Sequence, residues 1–319
     1  MNARLNQPAI TVTGLSKAFG DHVVLDGIDL TVPEGTTFAL LGPNGAGKTT
    51  MVNILSTLIR ADAGEIRIAG HDPARNPDGV RAAIGVTGQF SAVDKLLTGE
   101  ENLLLMADLH HLGRRDGRRR AAELLARFDL EDAARKPAGT YSGGMTRRLD
   151  LAMGLVGNPR IVFLDEPTSG LDPRSRRTMW EIIRGLLADG VTIFLTTQYL
   201  EEADHLADRI AVLDRGRFVA EGTPDELKRR VPGGHVRLQF ADARGLTSAA
   251  ETLGTGTPDR ETLTLQVPTD GSLRSLKRLL DRLDDESIEV VNLSVHTPDL
   301  DDVFFAVTGR PTTTEVPVQ

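Results

Sequence analysis

The stretch GPNGAGKTT (Gly42 to Thr50) has the residue types and the spacing of a phosphate-binding loop. It follows the apolar run FALL and precedes the helix-like MVNILSTLI, which is the strand–loop–helix setting that such a loop requires. Glycines let backbone N–H groups surround phosphate oxygens, and a helix start adds the positive end of its dipole. Lys48 is placed to reach β- and γ-phosphates and Thr49 to bind Mg²⁺. The predicted nucleotide-contacting residues are Gly42, Pro43, Asn44, Gly45, Ala46, Gly47, Lys48, Thr49 and Thr50.

Two adjacent carboxylates end the apolar run IVFLDEP (Ile161 to Pro167). Taken alone, an acidic pair at the end of a strand fits a helix cap as well as it fits a catalytic pair. The phosphate-binding loop elsewhere in the same region favours catalysis, with Asp165 holding Mg²⁺, through water, and Glu166 polarising the attacking water as general base.

A glutamine follows a third apolar run, in LTTQYLEEAD (residues 195–204). Ligands bind beyond the carboxyl ends of strands in open α/β sheets, so Gln198 either contacts a ligand or caps the next helix. The acidic residues Glu201, Glu202 and Asp204 are interpreted as first-turn acids that complement the start of that helix.

These residues require strands and helices that alternate. From Ile10 to about Gly222, short β-rich runs alternate with helical stretches, which predicts an α/β domain with a largely parallel sheet. Apolar residues at three-and-four spacing predict a helical insert at about 96–155. A change of pattern after ELKRRVPGG predicts a small C-terminal α+β domain of ferredoxin-like type. The predicted ranges are 8–231 for the nucleotide-binding domain, 232–310 for the accessory domain and 311–319 for a disordered tail.

Composition excludes several function classes. Among 319 residues, 37 Lys and Arg stand against 45 Asp and Glu, so a net charge of −8 disfavours direct nucleic-acid binding. The absence of cysteine excludes disulfides, thiol catalysis and cysteine-ligated metal centres. No stretch approaches the ~18 apolar residues of a spanning helix. We therefore expect a chain that is soluble unless a partner holds it at a membrane.

The segment YSGGMTRRLDLAMGLVGNP (Tyr141 to Pro159) resembles the signature segment of ABC-type ATPases. Its position before IVFLDEP and TSGLD follows the order of that family. The resemblance implies a P-loop ABC-type nucleotide-binding domain with a helical subdomain, working as a head-to-tail dimer. Each ATP would lie between the phosphate-binding loop of one chain and Ser142, Gly143 and Gly144 of the other. The alternative is that Ser142 only caps the helix after it.

The same resemblance assigns three further residues. Gln89, in VTGQF, would contact Mg²⁺, and Phe19 would stack on adenine, where tyrosine is more usual; as a lone aromatic, Phe19 fits a core position equally well. Gln198 stands where most members have a histidine that contacts the γ-phosphate. Glutamine can donate to a phosphate oxygen and accept from water, but it never carries a positive charge. We expect the sensor role with weaker electrostatic support.

Three stretches, TTQYLEEAD, TYSGGMTRRLDLA and DLDDVFFAVTG, resemble the ATPase subunits of daunorubicin and doxorubicin resistance exporters over nearly the whole chain. This resemblance implies an ATP-hydrolysing subunit of a multidrug or antibiotic exporter. It would pair with a second copy and with a separately encoded integral membrane permease, at the cytoplasmic face of the membrane and without nucleic acid. Two alternatives stay open: a soluble ABC-type mechanoprotein, and a weakly hydrolysing ATP-binding module that regulates or sequesters drug.

Overall fold

The computed structural model describes residues 8–230, 234–269, 272–296 and 299–309. The chain divides into two compact units, Met1–Pro224 and Asp225–Gln319. The domain boundary predicted between 231 and 232 and the predicted tail at 311–319 lie outside the described residues. Of the helices in the described ranges, none has the length and apolar character needed to cross a bilayer.

The first unit contains nine strands and most of the helices in the described ranges. The strands are β1 (Pro8–Phe19), β2 (His22–Pro33), β3 (Thr37–Leu41), β4 (Ala63–Ile68), β5 (Ile84–Thr87), β6 (Ile161–Asp165), β7 (Thr192–Thr197), β8 (Arg209–Asp214) and β9 (Arg217–Gly222). The helices are α1 (Lys48–Leu55), α2 (Pro77–Ala83), α3 (Gly99–Leu109), α4 (Arg114–Arg127), α5 (Gly143–Gly154), α6 (Pro173–Ala188) and α7 (Leu200–Leu206), with α8 (Pro224–Arg230) at the division between the units.

A six-stranded sheet of order β5-β6-β7-β3-β8-β9 forms the centre of this unit. All neighbouring pairs are parallel except β8 with β9. The strands β3, β6 and β7 are buried along their whole length, which explains why they read as continuous apolar runs rather than alternating ones. A separate antiparallel sheet has the order β2-β1-β4. The predicted largely parallel α/β architecture is confirmed.

The region predicted as a helical insert contains α3, α4 and α5. Helix α3 begins where Thr98 and Glu101 form a capping box: the Thr98 hydroxyl accepts from the Glu101 amide, and the Glu101 carboxylate accepts from the Thr98 amide. Helix α5 begins after Ser142, whose hydroxyl accepts from the Met145 amide. Local capping residues therefore set where these helices start.

The second unit has the strand–helix order predicted for a ferredoxin-like domain. Its elements are β10 (His235–Gln239), α9 (Ala243–Leu253), β11 (Thr257–Asp259), β12 (Thr264–Pro268), α10 (Leu273–Asp285), β13 (Asn292–His296) and α11 (Leu300–Thr308). The sheet order is β11-β12-β10-β13, with every pair antiparallel. This is the β-α-β-β-α-β arrangement, followed by one more helix.

The strands that carry the predicted site each contribute one phenylalanine to the core. Phe38 stacks on Phe194 with ring centroids 5.6 Å apart, and Phe163 contacts the same ring at 5.6 Å. All three side chains are fully buried. Phe194 on the middle strand β7 thus packs against one ring from β3 and one from β6, which links the three strands.

We expect Phe194→Ala to lower the free energy of unfolding by about 3–5 kcal/mol, because it leaves a cavity between the other two rings. Leu58→Ala is the control: Leu58 is 69% exposed, so its truncation should cost less than about 0.5 kcal/mol. Trp180, the only tryptophan of the chain, lies in the first unit and reports urea unfolding of that unit by fluorescence. Equal losses in the two variants would contradict this role for the aromatic cluster.

Candidate functional site

The loop between β3 and α1 requires glycine at two positions. A Cβ on Gly42 would lie 2.4 Å from the Leu213 carbonyl oxygen, and a Cβ on Gly47 would lie 2.9 Å from both Leu25 Cδ2 and the Val24 carbonyl oxygen. Gly47 also has φ +110°, which L side chains rarely adopt. The loop therefore packs directly on neighbouring backbone, with its N–H groups at the start of α1.

Lys48, the first residue of α1, is only 5% exposed. Its ammonium donates to the carbonyl oxygens of Gly42 (2.8 Å) and Pro43 (3.2 Å). Nζ also lies 3.4 Å from Glu166 Oε1. Burial lowers the pKa of Lys48, and the negative charges of Glu166 and Asp165 act in the opposite direction. The cation is thus held inside the loop and faces the carboxylates.

The two carboxylates stand at the end of β6, beside β7. Asp165 is 2% exposed and accepts a short hydrogen bond from the hydroxyl of Thr196. The same hydroxyl accepts from the Glu166 amide at 3.1 Å. Glu166 has φ +48°, a left-handed conformation that costs a non-glycine residue about 1–2 kcal/mol. Thr196, a residue that the sequence analysis did not single out, therefore fixes both acidic residues.

Gln198 follows the last residue of β7 and is partly exposed. In the parallel register, Leu41 of β3 pairs with Thr197, and Asp165 of β6 pairs with Thr196. The phosphate-binding loop, the acidic pair and Gln198 therefore emerge at the same edge of the sheet, from three neighbouring strands.

A cavity of about 410 Å³ lies over the phosphate-binding loop. It brings together residues from the loop, from the end of β1 and from the segments after β5 and β6. Its lining residues are Phe19, Val24, Asn44, Gly45, Gly47, Lys48, Thr49, Thr50, Gln89 and Glu166. Of the residues predicted from the sequence, Gly42, Pro43, Ala46, Asp165 and Gln198 are not in that lining, nor is the segment Ser142–Gly144.

Phe19 lies at the end of β1 and is 53% exposed, so it does not occupy the core position that was the alternative. The Lys17 ammonium lies 5.2 Å from the centre of its ring. An aromatic face open to the cavity, with a cation nearby, is suited to stacking on a planar base.

The Ser142–Gly144 segment is at the start of α5 and partly to fully exposed. The Ser142 hydroxyl oxygen accepts from Met145, which leaves its proton able to donate to a ligand. Capping and ligand binding are therefore compatible at this residue. The segment does not line this chain's own cavity over the phosphate-binding loop.

The polar side chains near the phosphate-binding loop are suited to bind Mg²⁺ only when phosphate oxygens complete its ligand set. Among the described residues there is no group of three acidic or histidine side chains that could hold a metal ion. Thr49, Gln89 and Asp165 offer a hydroxyl, an amide oxygen and a carboxylate. Mg²⁺ prefers such oxygen ligands and is commonly held by one carboxylate together with substrate phosphates. The donor set therefore fits a metal that arrives with a nucleotide.

Glu202 has an environment that its position in the sequence did not predict. It does lie in the first turn of α7, as expected, but it is 0% exposed. Oε1 accepts from the indole of Trp180 at 3.2 Å, while Oε2 has no hydrogen-bond partner. Burial raises the pKa of Glu202, and the polar side chains around it, with Trp180 the one that donates to it, oppose this shift only in part. Helical position alone does not distinguish a buried first-turn acid from a solvated one.

Two further residues escaped the sequence analysis: Arg147 and Asp150 form a buried ion pair (3.3 Å) on α5. The sequence pattern that could have indicated them is a basic and an acidic residue three positions apart, on a helix that begins with two glycines. Such a spacing is equally typical of a solvated helix face.

We expect Glu202→Gln to reduce the pH dependence of stability. Because the folded-state pKa of Glu202 is raised, its contribution is complete below about pH 4.3, the ordinary pKa of Glu, and is lost as pH rises towards the folded-state pKa. The amide of glutamine stays neutral at both pH values and avoids that loss. The free energy of unfolding of the variant should therefore exceed that of the wild type by more at pH 8 than at pH 5.

The measurement is urea unfolding at both pH values, followed through Trp180 fluorescence. Glu201→Gln is the matched control, since Glu201 belongs to the same turn but its side chain is 64% exposed. Equal pH dependence in both variants and the wild type would show that Glu202 is ionised in the folded protein.

The chain is similar in sequence and in fold to known proteins. Residues 25–169 match the ABC transporter family. The chain is 50% identical over 303 residues to the daunorubicin resistance ATP-binding protein DrrA3 of Streptomyces coeruleorubidus, covering 94% of this chain and 96% of that protein. It is 46% identical to the daunorubicin/doxorubicin resistance ATP-binding protein of Streptomyces peucetius (95% and 93%). It is 38% identical to the Nod factor export ATP-binding protein I of Sinorhizobium fredii (95% and 86%).

Solved structures with the same fold cover about two thirds of the chain. An ATP-binding subunit of an ABC transporter is 30% identical, with a TM-score of 0.63, covering 70% of this chain and 92% of that one. A dimeric ATP-binding cassette in a post-hydrolysis state, bound to ADP and Pi, is 28% identical with a TM-score of 0.61, covering 67% and 98%.

Proposed function

The chain belongs to the ATP-binding subunits of the ABC transporter family, and from this premise we propose that it hydrolyses ATP to drive export of a drug or antibiotic through a separate membrane subunit. The observation that carries the proposal is near-full-length similarity to daunorubicin and doxorubicin resistance ATP-binding proteins, at 46–50% identity. The cavity that joins the phosphate-binding loop to Gln89 and Glu166 supports it independently.

ATP binding would use the phosphate-binding loop, the start of α1 and the aromatic ring of Phe19. The loop N–H groups and Lys48 would bind the β- and γ-phosphates, and the exposed face of Phe19 would stack on the adenine. Thr49, Gln89 and Asp165 would hold Mg²⁺, which would neutralise charge on the phosphates.

The ion pair between Lys48 and Glu166 suggests how the site responds to substrate. A γ-phosphate is the stronger partner for the ammonium because it carries more negative charge at hydrogen-bond distance. Binding would therefore draw Lys48 away from Glu166 and leave that carboxylate free to accept a proton from the attacking water. Thr196 would keep the Glu166 backbone in its strained conformation throughout.

Gln198 would orient the attacking water from the neighbouring strand. Its amide N–H₂ can donate to a phosphate oxygen while its carbonyl oxygen accepts from water. Because it carries no charge, its contribution to the transition state should be smaller than that of a histidinium.

A second copy of the chain would complete each site. The exposed start of α5 offers the Ser142 hydroxyl, the N–H groups of Gly143 and Gly144, and the positive end of a helix dipole. None of these lines this chain's own cavity. A head-to-tail pair in which each chain supplies this segment to the other chain's ATP accounts for both observations.

Attachment to the permease would use the helical insert, at the cytoplasmic face of the membrane. Several large apolar side chains are exposed in or just before α3: Phe90 (88%), Leu96 (89%), Leu105 (44%) and Leu109 (64%). Exposed apolar groups of this size favour a protein interface. Because these side chains are close in sequence to Gln89, a change in the bound nucleotide would be transmitted through them to the membrane partner.

We expect Glu166→Gln to lower Mg²⁺-dependent ATP turnover of the purified chain by roughly 10²–10⁴-fold, the range for loss of a general base. Gln198→His should keep or raise turnover by up to about tenfold, since it restores a charged donor to the transition state. The assay is phosphate release from ATP, with Glu201→Gln as the control for an exposed acid nearby.

Unchanged turnover in Glu166→Gln would contradict the assignment of the base. No turnover in either the wild type or Gln198→His would instead favour the alternative of an ATP-binding module that regulates or sequesters drug.

We expect Leu96→Glu to weaken recovery of the integral membrane partner from detergent-solubilised membranes by about tenfold or more, because burying a charge in an apolar interface is costly. Leu58→Glu, at another exposed leucine, is the control. Turnover of both purified variants should match the wild type. Recovery of ribosomes or DNA in place of an integral protein would favour the mechanoprotein alternative.

A further inference from the structure

Arg147 binds several backbone segments of the site at once. Its guanidinium side chain is 11% exposed. Nε donates to the Pro167 carbonyl oxygen (2.9 Å), Nη2 to those of Asp165 (2.9 Å) and Glu166 (3.1 Å), and Nη1 to that of Gly88 (2.7 Å). One side chain on α5 thus contacts both the acidic segment after β6 and the residue before Gln89.

Asp150 extends this contact to the far side of the Gln89 loop. The side chain is 4% exposed, lies 3.3 Å from Arg147 Nη1, and accepts from the Ala92 amide at 2.9 Å. Together the two residues bind the loop at Gly88 and at Ala92, one position before Gln89 and three positions after it. The charges of the pair compensate each other, which allows both to be buried.

The same helix carries the Ser142–Gly144 segment at its start. At a rise of about 1.5 Å per residue, Arg147 lies only about 7 Å along the axis from Ser142. Helix α5 is continuous from Gly143 to Gly154, so a displacement of its start moves Arg147 with it. The segment predicted to contact the second copy's nucleotide is therefore connected to this chain's own acidic residues and Gln89 loop.

We propose that Arg147, held by Asp150, is a positioning residue that sets the Glu166 backbone and the Gln89 loop according to whether the start of α5 is engaged by a second chain's nucleotide. The inference rests on the proposed function, in which that engagement occurs. It adds a connection between the two ATP sites of a dimer. Within each chain, this connection runs through the four carbonyl oxygens that Arg147 binds and not through the catalytic side chains.

Arginine is required for this connection by geometry. Its planar group presents five donors in fixed directions, which can bind separate carbonyl oxygens simultaneously. A lysine in its place keeps the positive charge but is a single compact ammonium, so Arg147→Lys should lose part of the set. Methionine fills similar space with no donor, so Arg147→Met should lose all of it.

The next residue along the helix provides a matched control. Arg148 is 16% exposed, and Nη1 donates to the carbonyl oxygens of Phe128 (2.8 Å) and Asp129 (3.1 Å) and pairs with the Asp129 carboxylate (3.0 Å). Arg148→Met removes bonds of the same kind from the same helix, but those bonds go to the end of α4 instead of the site.

The first measurement is amide hydrogen exchange of the full chain without nucleotide, read by mass spectrometry. In Arg147→Met and Arg147→Lys, peptides covering 88–93 and 165–168 should exchange at least about fivefold faster than in the wild type, since their anchoring bonds are lost. In Arg148→Met, faster exchange should be confined to peptides around 128–130. Equal effects of Arg147→Met and Arg148→Met on the site peptides would overturn the proposal.

The second measurement tests the connection itself, in chains that also carry Glu166→Gln to hold ATP. Adding Mg²⁺-ATP should slow exchange of both the 42–50 and the 88–93 peptides. With Arg147→Lys added, protection of 42–50 should remain while that of 88–93 falls by at least about fivefold, to the part that Gln89 supplies through Mg²⁺. Undiminished protection of 88–93 would overturn the proposal. Failure to protect 42–50 in any chain would instead refute ATP binding, and with it the proposed function.

Turnover separates positioning from mere support of the fold. Arg147→Lys should lower kcat for ATP by about tenfold or more with KM changed by less than about threefold, since the base is misplaced while the phosphate contacts persist. Arg148→Met should leave kcat within about twofold. A loss in Arg147→Lys that matches only its loss of folded fraction would assign Arg147 a structural role.

Discussion

The parallel register of β6, β7 and β3 is the constraint on which the rest of the site depends. Because Asp165 pairs with Thr196 and Leu41 with Thr197, the acidic pair, Gln198 and the phosphate-binding loop emerge from one edge of the sheet at the same level. A shift of one residue would turn every side chain to the other face of the sheet. The contacts of Phe194 with Phe38 and Phe163 join the three strands in that register, so packing of the core also determines the geometry of the site.

Charge is balanced inside this edge before any substrate is present. The Lys48 ammonium is shared between two loop carbonyl oxygens and the Glu166 carboxylate, while a hydroxyl from β7 satisfies Asp165. On the other side of the acidic segment, a guanidinium binds the carbonyl oxygens. These three charged groups therefore all have partners within the chain.

Sequence predicted the parts of this site that local backbone rules determine. The loop needs glycines where the backbone approaches Leu213 and Val24, and the acidic pair follows a strand apolar on both faces, so both leave a pattern in consecutive residues. The longer strands and helices of the second unit were readable for the same reason, whereas the three-residue strand β11 was not. The contacts of Arg147 were not, because its partner Gly88 lies 59 positions away and is bound through a carbonyl oxygen that every residue has. Burial of Glu202 was equally hidden, since first-turn acids carry the same spacing whether solvated or enclosed.

The left-handed backbone of Glu166 has a consequence for how this chain can change over generations. Glycine adopts that conformation freely and asparagine tolerates it, so either replacement would relieve backbone strain while removing the carboxylate partner of the Lys48 ammonium. Selection for a well-folded protein therefore acts on this position in two opposing directions, through the backbone and through the ion pair. Under the proposed function, the demand for ATP-driven work would add to the ion pair in retaining a glutamate at this strained position.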